Sequence, residues 1–126
     1  MLRFATAFMA AACLVAPAAA QMQRAFPQNA LRGAIVIGVA PDIQLNGDPA
    51  RLAPGARIRD THNMSIVPSG LTGGRYLVHY TVDTSGLVKE VWILRPDEAA
   101  VRPWPTTRAE AETWQFDPVG QVWSKP

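Results

Sequence analysis

The 126-residue chain has one cysteine, Cys13, and it lies in an apolar leader. Residues 1–20 read as a signal peptide. Arg3 supplies the positive start, Phe4 to Val15 is an apolar run too short to cross a bilayer, and Ala18-Ala19-Ala20 fits a small-residue cleavage site. The competing readings are an uncleaved anchor and a lipoprotein signal using Cys13. The apolar run continues past Cys13, which argues against the second. Cleavage before Gln21 leaves no cysteine, so a protein whose compartment would permit disulfides has none to form. Thiolate catalysis and cysteine-bound metals are excluded by the same absence.

Charge of one sign is also scarce. Lys plus Arg number 12 and Asp plus Glu 10, and loss of Arg3 leaves 11 against 10, a formal +1. That balance gives no argument for nucleic acid or a membrane surface as partner. No apolar run after the leader is long enough for a membrane span. Phosphate loops are missing: neither Asn46-Gly47 nor Gly73-Gly74 follows a strand and opens a helix. No dinucleotide fingerprint, zinc-protease helix or calcium loop occurs, so no cofactor is expected.

Histidine is limited to His62 and His79. A two-histidine metal site would need them close together with a carboxylate such as Asp60 or Glu90, and their spacing does not supply this. Ser65, Ser69, Ser85 and Ser124 have no nucleophile-elbow context. A hydrolase would rest on His79 and Glu90.

What is present is strand. Arg75 to Leu94 reads as two runs of β-branched and aromatic residues around Asp83-Thr84-Ser85-Gly86, a β-hairpin. A three-residue loop ending in left-handed Gly86 pairs Asp83 with Leu87. That register puts Tyr76, Val78, Tyr80 and Val82 on a face with Leu94, Trp92, Glu90 and Val88. The other face holds Leu77, His79 and Thr81 against Ile93, Val91 and Lys89. A four-residue loop would shift the pairing by one; the glycine position favours the shorter loop. Near the open end both faces are apolar, so both are expected to be covered.

Along the chain, residues 21–31 form a polar leader without periodicity, expected to be mobile. Residues 32–95 read as a β domain. Gly33 to Val39 is a buried strand. Asp42 to Leu52 is a smaller hairpin around Asn46-Gly47, its return strand starting after Pro49. Ala53-Pro54-Gly55 reads as another turn, then Arg57 to Arg59 and Met64 to Val67 as short strands. Residues 96–126 read as a C-terminal helix and a tryptophan-rich tail packed on the β domain. Pro96 to Ala100 suits a first helical turn. Thr107 with Glu110 is a capping-box pattern that starts a helix through about Trp114. Val122-Trp123 is a last strand or a docked tail. The fold class is mainly β: a small antiparallel roll, barrel or sandwich of about six short strands.

Arg51, Arg57 and Arg59 are the densest basic group, suited to an anionic partner or to a solvated face. Residues 21–95 hold eight basic and five acidic residues, and residues 96–126 three and five. The acidic tail is therefore expected to pair with the basic body. Trp114 is expected to pack. Trp104, between two prolines, is a candidate contact because a rigid extended segment can present its side chain outward.

The runs Asp42-Ile43-Gln44-Leu45-Asn46-Gly47, Arg51-Leu52-Ala53-Pro54-Gly55-Ala56-Arg57-Ile58-Arg59 and Gly86 to Leu94 resemble a group of small exported bacterial proteins of unknown function. The likeness spans roughly residues 30–105. It implies export and a shared fold, but no activity and no site residues. Val82 to Leu94 is also similar to a hairpin in the C-terminal domain of TonB-type energy-coupling proteins. The reading that follows is a periplasmic or secreted β domain, non-enzymatic, acting through protein contacts at Trp104 or the exposed face of the central hairpin. The alternative is an envelope binder of a small or anionic ligand using Arg51, Arg57 and Arg59.

Overall fold

The computed structural model describes residues 23–126; residues 1–22, including the segment expected to be a signal peptide, lie outside the described residues. Eight strands and two short helices follow one another: β1 Leu31–Ile37, β2 Asp42–Leu45, β3 Asp48–Arg59, β4 Ser65–Ile66, β5 Arg75–Val82, β6 Val88–Ile93, α1 Pro96–Ala99, α2 Arg108–Thr113, β7 Gln115–Asp117 and β8 Val122–Ser124. The chain is mainly β, as its short turn-linked strands suggest. The sheet order is β2-β1-β5-β6-β3-β4, and β2 also pairs with β3. That extra pairing closes β1, β2, β3, β6 and β5 into a five-stranded barrel, with β4 hung on β3. Closure leaves no long exposed edge on these strands. Among the described residues, no helix is long and apolar enough to cross a membrane.

All barrel pairings are antiparallel except β3 with β6, which is parallel. Turn signals between short strands cannot announce such a pair, because its partners are separated by β4 and β5. β3 is the other departure. The predicted turn at Ala53-Pro54-Gly55 is a bend within one 12-residue strand. Gly55 takes φ +78°, open to glycine at no steric cost, and the register shifts between Leu52 and Arg57. Before the bend β3 pairs with β2, through an Asn46-Gly47 turn with both φ values positive. Beyond the bend it pairs with β6 on one side and β4 on the other.

The central hairpin turns as its sequence predicts. The Asp83 amide donates to the Leu87 carbonyl at 2.8 Å, and Gly86 has φ +83°. The register then slips by one between Val88 and Glu90, leaving Lys89 as a bulge. Tyr80 therefore faces Val91 rather than Glu90, and His79 faces Trp92 rather than Val91. The reason is burial: without the bulge, Glu90 would point into the barrel beside Tyr80.

Two cores result. Inside the barrel, Leu31, Tyr80, Val91 and Ile58 form one row across β1, β5, β6 and β3, all buried. One position along, Arg32, His79, Trp92 and Arg59 form the next row on the outside of the same four strands. The second core, with Phe26, Ala30, Leu94, Trp104 and Trp123, is built over Trp92.

The cover comes from both chain ends. Residues 23–30, expected to be mobile, instead dock: Arg24, Phe26 and Ala30 are buried. Arg24 forms an ion pair with Glu98 of α1, its Nε donating to Oε2 at 2.7 Å. Its remaining nitrogens donate to the carbonyls of Asp60 at 2.9 Å and Ile93 at 2.8 Å. One guanidinium thus ties together the N-terminal segment, the end of β3, the end of β6 and α1. The polar composition of residues 21–31 concealed this, because the fixing residue is itself charged.

The C-terminal region holds its predicted helices. Thr107 Oγ1 accepts from the Glu110 amide at 3.2 Å. Glu110 Oε1 returns to the Thr106 amide at 3.0 Å, one residue earlier than the usual reciprocal bond. Residues 115–124 add a separate β7–β8 hairpin.

Arg24→Met should lower stability by about 3 kcal/mol, the usual scale for leaving one member of a buried ion pair behind. Urea unfolding of residues 21–126 reads this. A loss below about 0.5 kcal/mol, the size of an ordinary surface substitution, would mean that the N-terminal segment is not held as described.

Candidate functional site

The outward row is the floor of the most elaborated region of the molecule. His79 sits in its middle, 1% exposed. Its ring stacks on Trp104 with centroids 4.0 Å apart, and meets Phe26 edge-on at 4.4 Å. Arg32 donates to His79 Nε2 from Nε at 3.2 Å and approaches it from Nη2 at 3.1 Å. A guanidinium can only donate, so Nε2 accepts and the ring proton is on Nδ1. Nδ1 has no protein partner, and neither does the buried Trp123 Nε1. Burial first, then the positive charges of Arg32 and Arg24, push the His79 pKa down to about 2. A base that weak takes no proton from a substrate near neutrality. Glu90 lies two residues along, opposite Thr81, and pairs with Arg59 at 3.8 Å. The structure does not bring His79 and Glu90 together as an acid–base pair.

Trp104 is 5% exposed and its indole donates to the Ala30 carbonyl at 2.9 Å. Arg32 lies over its ring at 5.5 Å. The rigid segment between Pro103 and Pro105 presents this side chain inward, because the His79 and Phe26 rings offer it a stacking surface. Trp104 is therefore a core residue and not a surface contact. Trp114 is half-buried beneath Lys125, whose Nζ lies 5.3 Å from the ring.

The three candidate arginines separate. Arg51 is exposed on the β2–β3 arm, 3.3 Å from Asp42. Arg57 and Arg59 lie beyond the bend, on either side of the inward Ile58, and share the outward face. Arg57 is exposed opposite Glu90, and Arg59 is half-buried.

Arg59 opens onto a groove of about 1020 Å³. One wall is the docked segment Gln23–Ala25. The other is the turn that follows β3, with Thr61, His62, Asn63 and Met64; Trp92 and Arg95 also line it. The turn is held by its own acid: Asp60 Oδ1 accepts from the amides of His62 at 2.9 Å and Met64 at 3.0 Å. Those bonds, the Met64 amide foremost, lower the Asp60 pKa. Met64 is left 63% exposed. No carboxylate among the described residues lines this groove. Arg95 is held by Asp97 at 3.1 Å and by Glu98 at 3.3 Å, while among the described residues Arg59 has only its long pair with Glu90. Among the described residues, no group of three His, Asp or Glu side chains is placed to hold a metal ion.

Comparison with known proteins finds no matching family model, no matching curated protein and no matching solved structure. The site must be read from its own geometry. Sequence reasoning missed Arg24, Glu98 and Met64. The first two carried one usable signal, the imbalance between a basic body and an acidic tail. Met64 carried none, since a lone methionine in a strand pattern reads as core.

The depressed His79 pKa makes stability depend on pH. An unfolded histidine gains a proton below about 6.5 and the folded one does not, so stability falls as pH drops below that value. The slope from this group approaches about 1.4 kcal/mol per pH unit. Asp60, Asp97 and Glu110, all shifted down, lose their contributions only as pH falls through the carboxylate range. Urea midpoints between pH 7.5 and 5 should decline in the wild type and stay flatter in His79→Phe. Equal slopes would contradict a buried neutral His79.

Proposed function

We propose that this chain is an exported, non-enzymatic binding domain of the bacterial cell envelope that acts through contact with another protein. Export rests on residues 1–20: a short positive start, an apolar run and a small-residue cleavage site. The contact is the groove beside the Asp60–Met64 turn, and its occupant is an extended, acidic segment of the partner. The observation that carries this reading is the pairing of an exposed Met64 with a loosely paired Arg59 on a groove wall without carboxylates. Methionine and arginine are enriched in protein interfaces, methionine because its flexible thioether adapts to varied surfaces. An acidic segment would find guanidinium, imidazole and amide donors along that wall.

A second reading has its own observation. Arg57 and Arg59 share the outward face, which suits a small anion. Arg51 lies apart from them and would take no part.

The test is a crosslinking pull-down with residues 21–126 from envelope extract, read by mass spectrometry. Wild type should recover a partner that Arg59→Glu and Met64→Asp each reduce at least tenfold. Met64→Asp is at the surface and should alter stability by about 0.5 kcal/mol or less; Arg59→Glu also faces Glu90, so its melting temperature is checked alongside recovery. Recovery unchanged by either variant would overturn this surface. An empty wild-type pull-down, with citrate raising the melting temperature through Arg57 and Arg59, would favour the anion reading.

A further inference from the structure

Where β1 begins and β5 ends, a pocket of about 470 Å³ opens between the barrel and α2. Its floor is Leu31, Val82 and Ala111. Leu31 belongs to the barrel core, and Val82 and Ala111 pack against it. Elsewhere the chain ends cover the barrel with Phe26, Trp104 and Trp123. Here α2 offers only the methyl group of Ala111, which is too small to fill the space. Val82 and Ala111 are half-buried, so the floor can be reached from solvent. The volume lies within the roughly 300–1,000 Å³ of small-molecule sites.

Four exposed polar side chains rim this pocket: Gln28, Asn29, Arg108 and Glu112. Gln28 and Asn29 are the corners of a turn closed by the Ala30 amide, which donates to the Pro27 carbonyl at 3.0 Å. Arg108, Ala111 and Glu112 have i, i+3, i+4 spacing and so share one face of α2. Among the described residues, none of the four rim side chains has a hydrogen bond or an ion pair. The two charges also stand at the wrong ends of the helix. Arg108 opens α2 and Glu112 lies in its last turn, the reverse of what the dipole favours. Arginine before glutamate is likewise the weaker order for a pair one turn apart. The stability of α2 therefore does not account for either charge.

We propose that this pocket binds an apolar dipeptide with both termini free. Arg108 donates to its carboxylate, and Glu112 accepts from its ammonium group. A lone anion would meet Glu112 and a lone cation would meet Arg108, so a ligand carrying both charges suits the rim better than either. Four residues of helix rise about 6 Å. That separation matches charges held apart by a peptide unit rather than the adjacent charges of a free amino acid. The Gln28 and Asn29 carboxamides can each donate and accept, as the N–H and C=O of that peptide unit require. Exposed ion pairs contribute little by themselves, so the ligand's apolar side chains, laid on Leu31, Val82 and Ala111, supply most of the affinity. The pocket shares no lining residue with the groove at Met64, and either can fail without the other.

The probe is leucyl-leucine, titrated into residues 21–126 and followed by calorimetry and by the methyl resonances of Val82 and Ala111. Saturable binding with shifts at both methyls is expected. Acetylating the ligand's amino group should weaken binding at least fivefold, and so should amidating its carboxyl group. Glu112→Gln and Arg108→Gln should each cost as much. Acetylation should then cost nothing further in Glu112→Gln, and amidation nothing further in Arg108→Gln. Ala111→Leu occupies the floor and should abolish binding; the two exposed glutamine variants decide the matter if it does not fold. The site would be overturned by an absence of saturable binding, by binding indifferent to either cap, or by free leucine binding as tightly as the dipeptide.

Discussion

The outside of the β5–β6 hairpin cannot be left to water. Successive residues of a strand point to opposite faces, so the run that sends Val78, Tyr80 and Val91 into the barrel sends His79, Trp92 and Leu94 out of it. A closed five-stranded barrel has one interior and cannot bury both sets. A second layer is therefore required, and the chain builds it from its two ends. Phe26 and Ala30 come from before β1; Trp104 and Trp123 come from after β6. The short helices and the β7–β8 hairpin follow from this need, since they bring the two tryptophans back over the barrel wall.

The cover is pinned by charge rather than by apolar contact alone. Arg24 and Glu98 are both nearly free of solvent, and each has further partners that use its remaining hydrogen-bonding groups. A buried ion pair without those bonds would cost more in desolvation than it returned. The expected neutralisation of a basic body by an acidic tail occurs here, where Arg24 and Arg95 pair with Glu98 and Arg95 also pairs with Asp97. Arg32 completes the arrangement. It donates to His79 and to the carbonyls of Glu98 at 3.0 Å and Val101 at 2.7 Å, so the end of α1 is fixed to β1. Arginine suits both positions because its planar group directs several donors at once.

Much of the barrel was legible. The Asn46-Gly47 turn, the Thr84-Ser85-Gly86 loop, the Thr107 cap and the need to cover both hairpin faces all follow from local chemistry. Closure was not legible, because the parallel β3–β6 pair joins residues whose contact no local pattern encodes. The Gly55 bend and the Lys89 bulge were misread for a related reason: each resolves a conflict between local sequence and the shared core. The site was legible only in fragments. His79 could be named, but its neutral state depends first on burial beneath Phe26 and Trp104 and then on Arg32 and Arg24, all of them far from it in sequence. Trp104 could be named too, but its direction depends on rings supplied by β5 and by residue 26.

The second core is as much a part of the native fold as the barrel. Hydrogen exchange of the Trp104 indole N–H, followed by NMR beside the amides of Ile35 and Val78, tests it most directly. That proton is bonded to the Ala30 carbonyl and buried beneath the N-terminal segment. Slow exchange is expected, with an opening free energy within about 1 kcal/mol of the barrel amides, as for sites released only by global unfolding. Rapid exchange of the indole while Ile35 and Val78 remain protected would mean that the cover opens on its own and is not part of the cooperative fold.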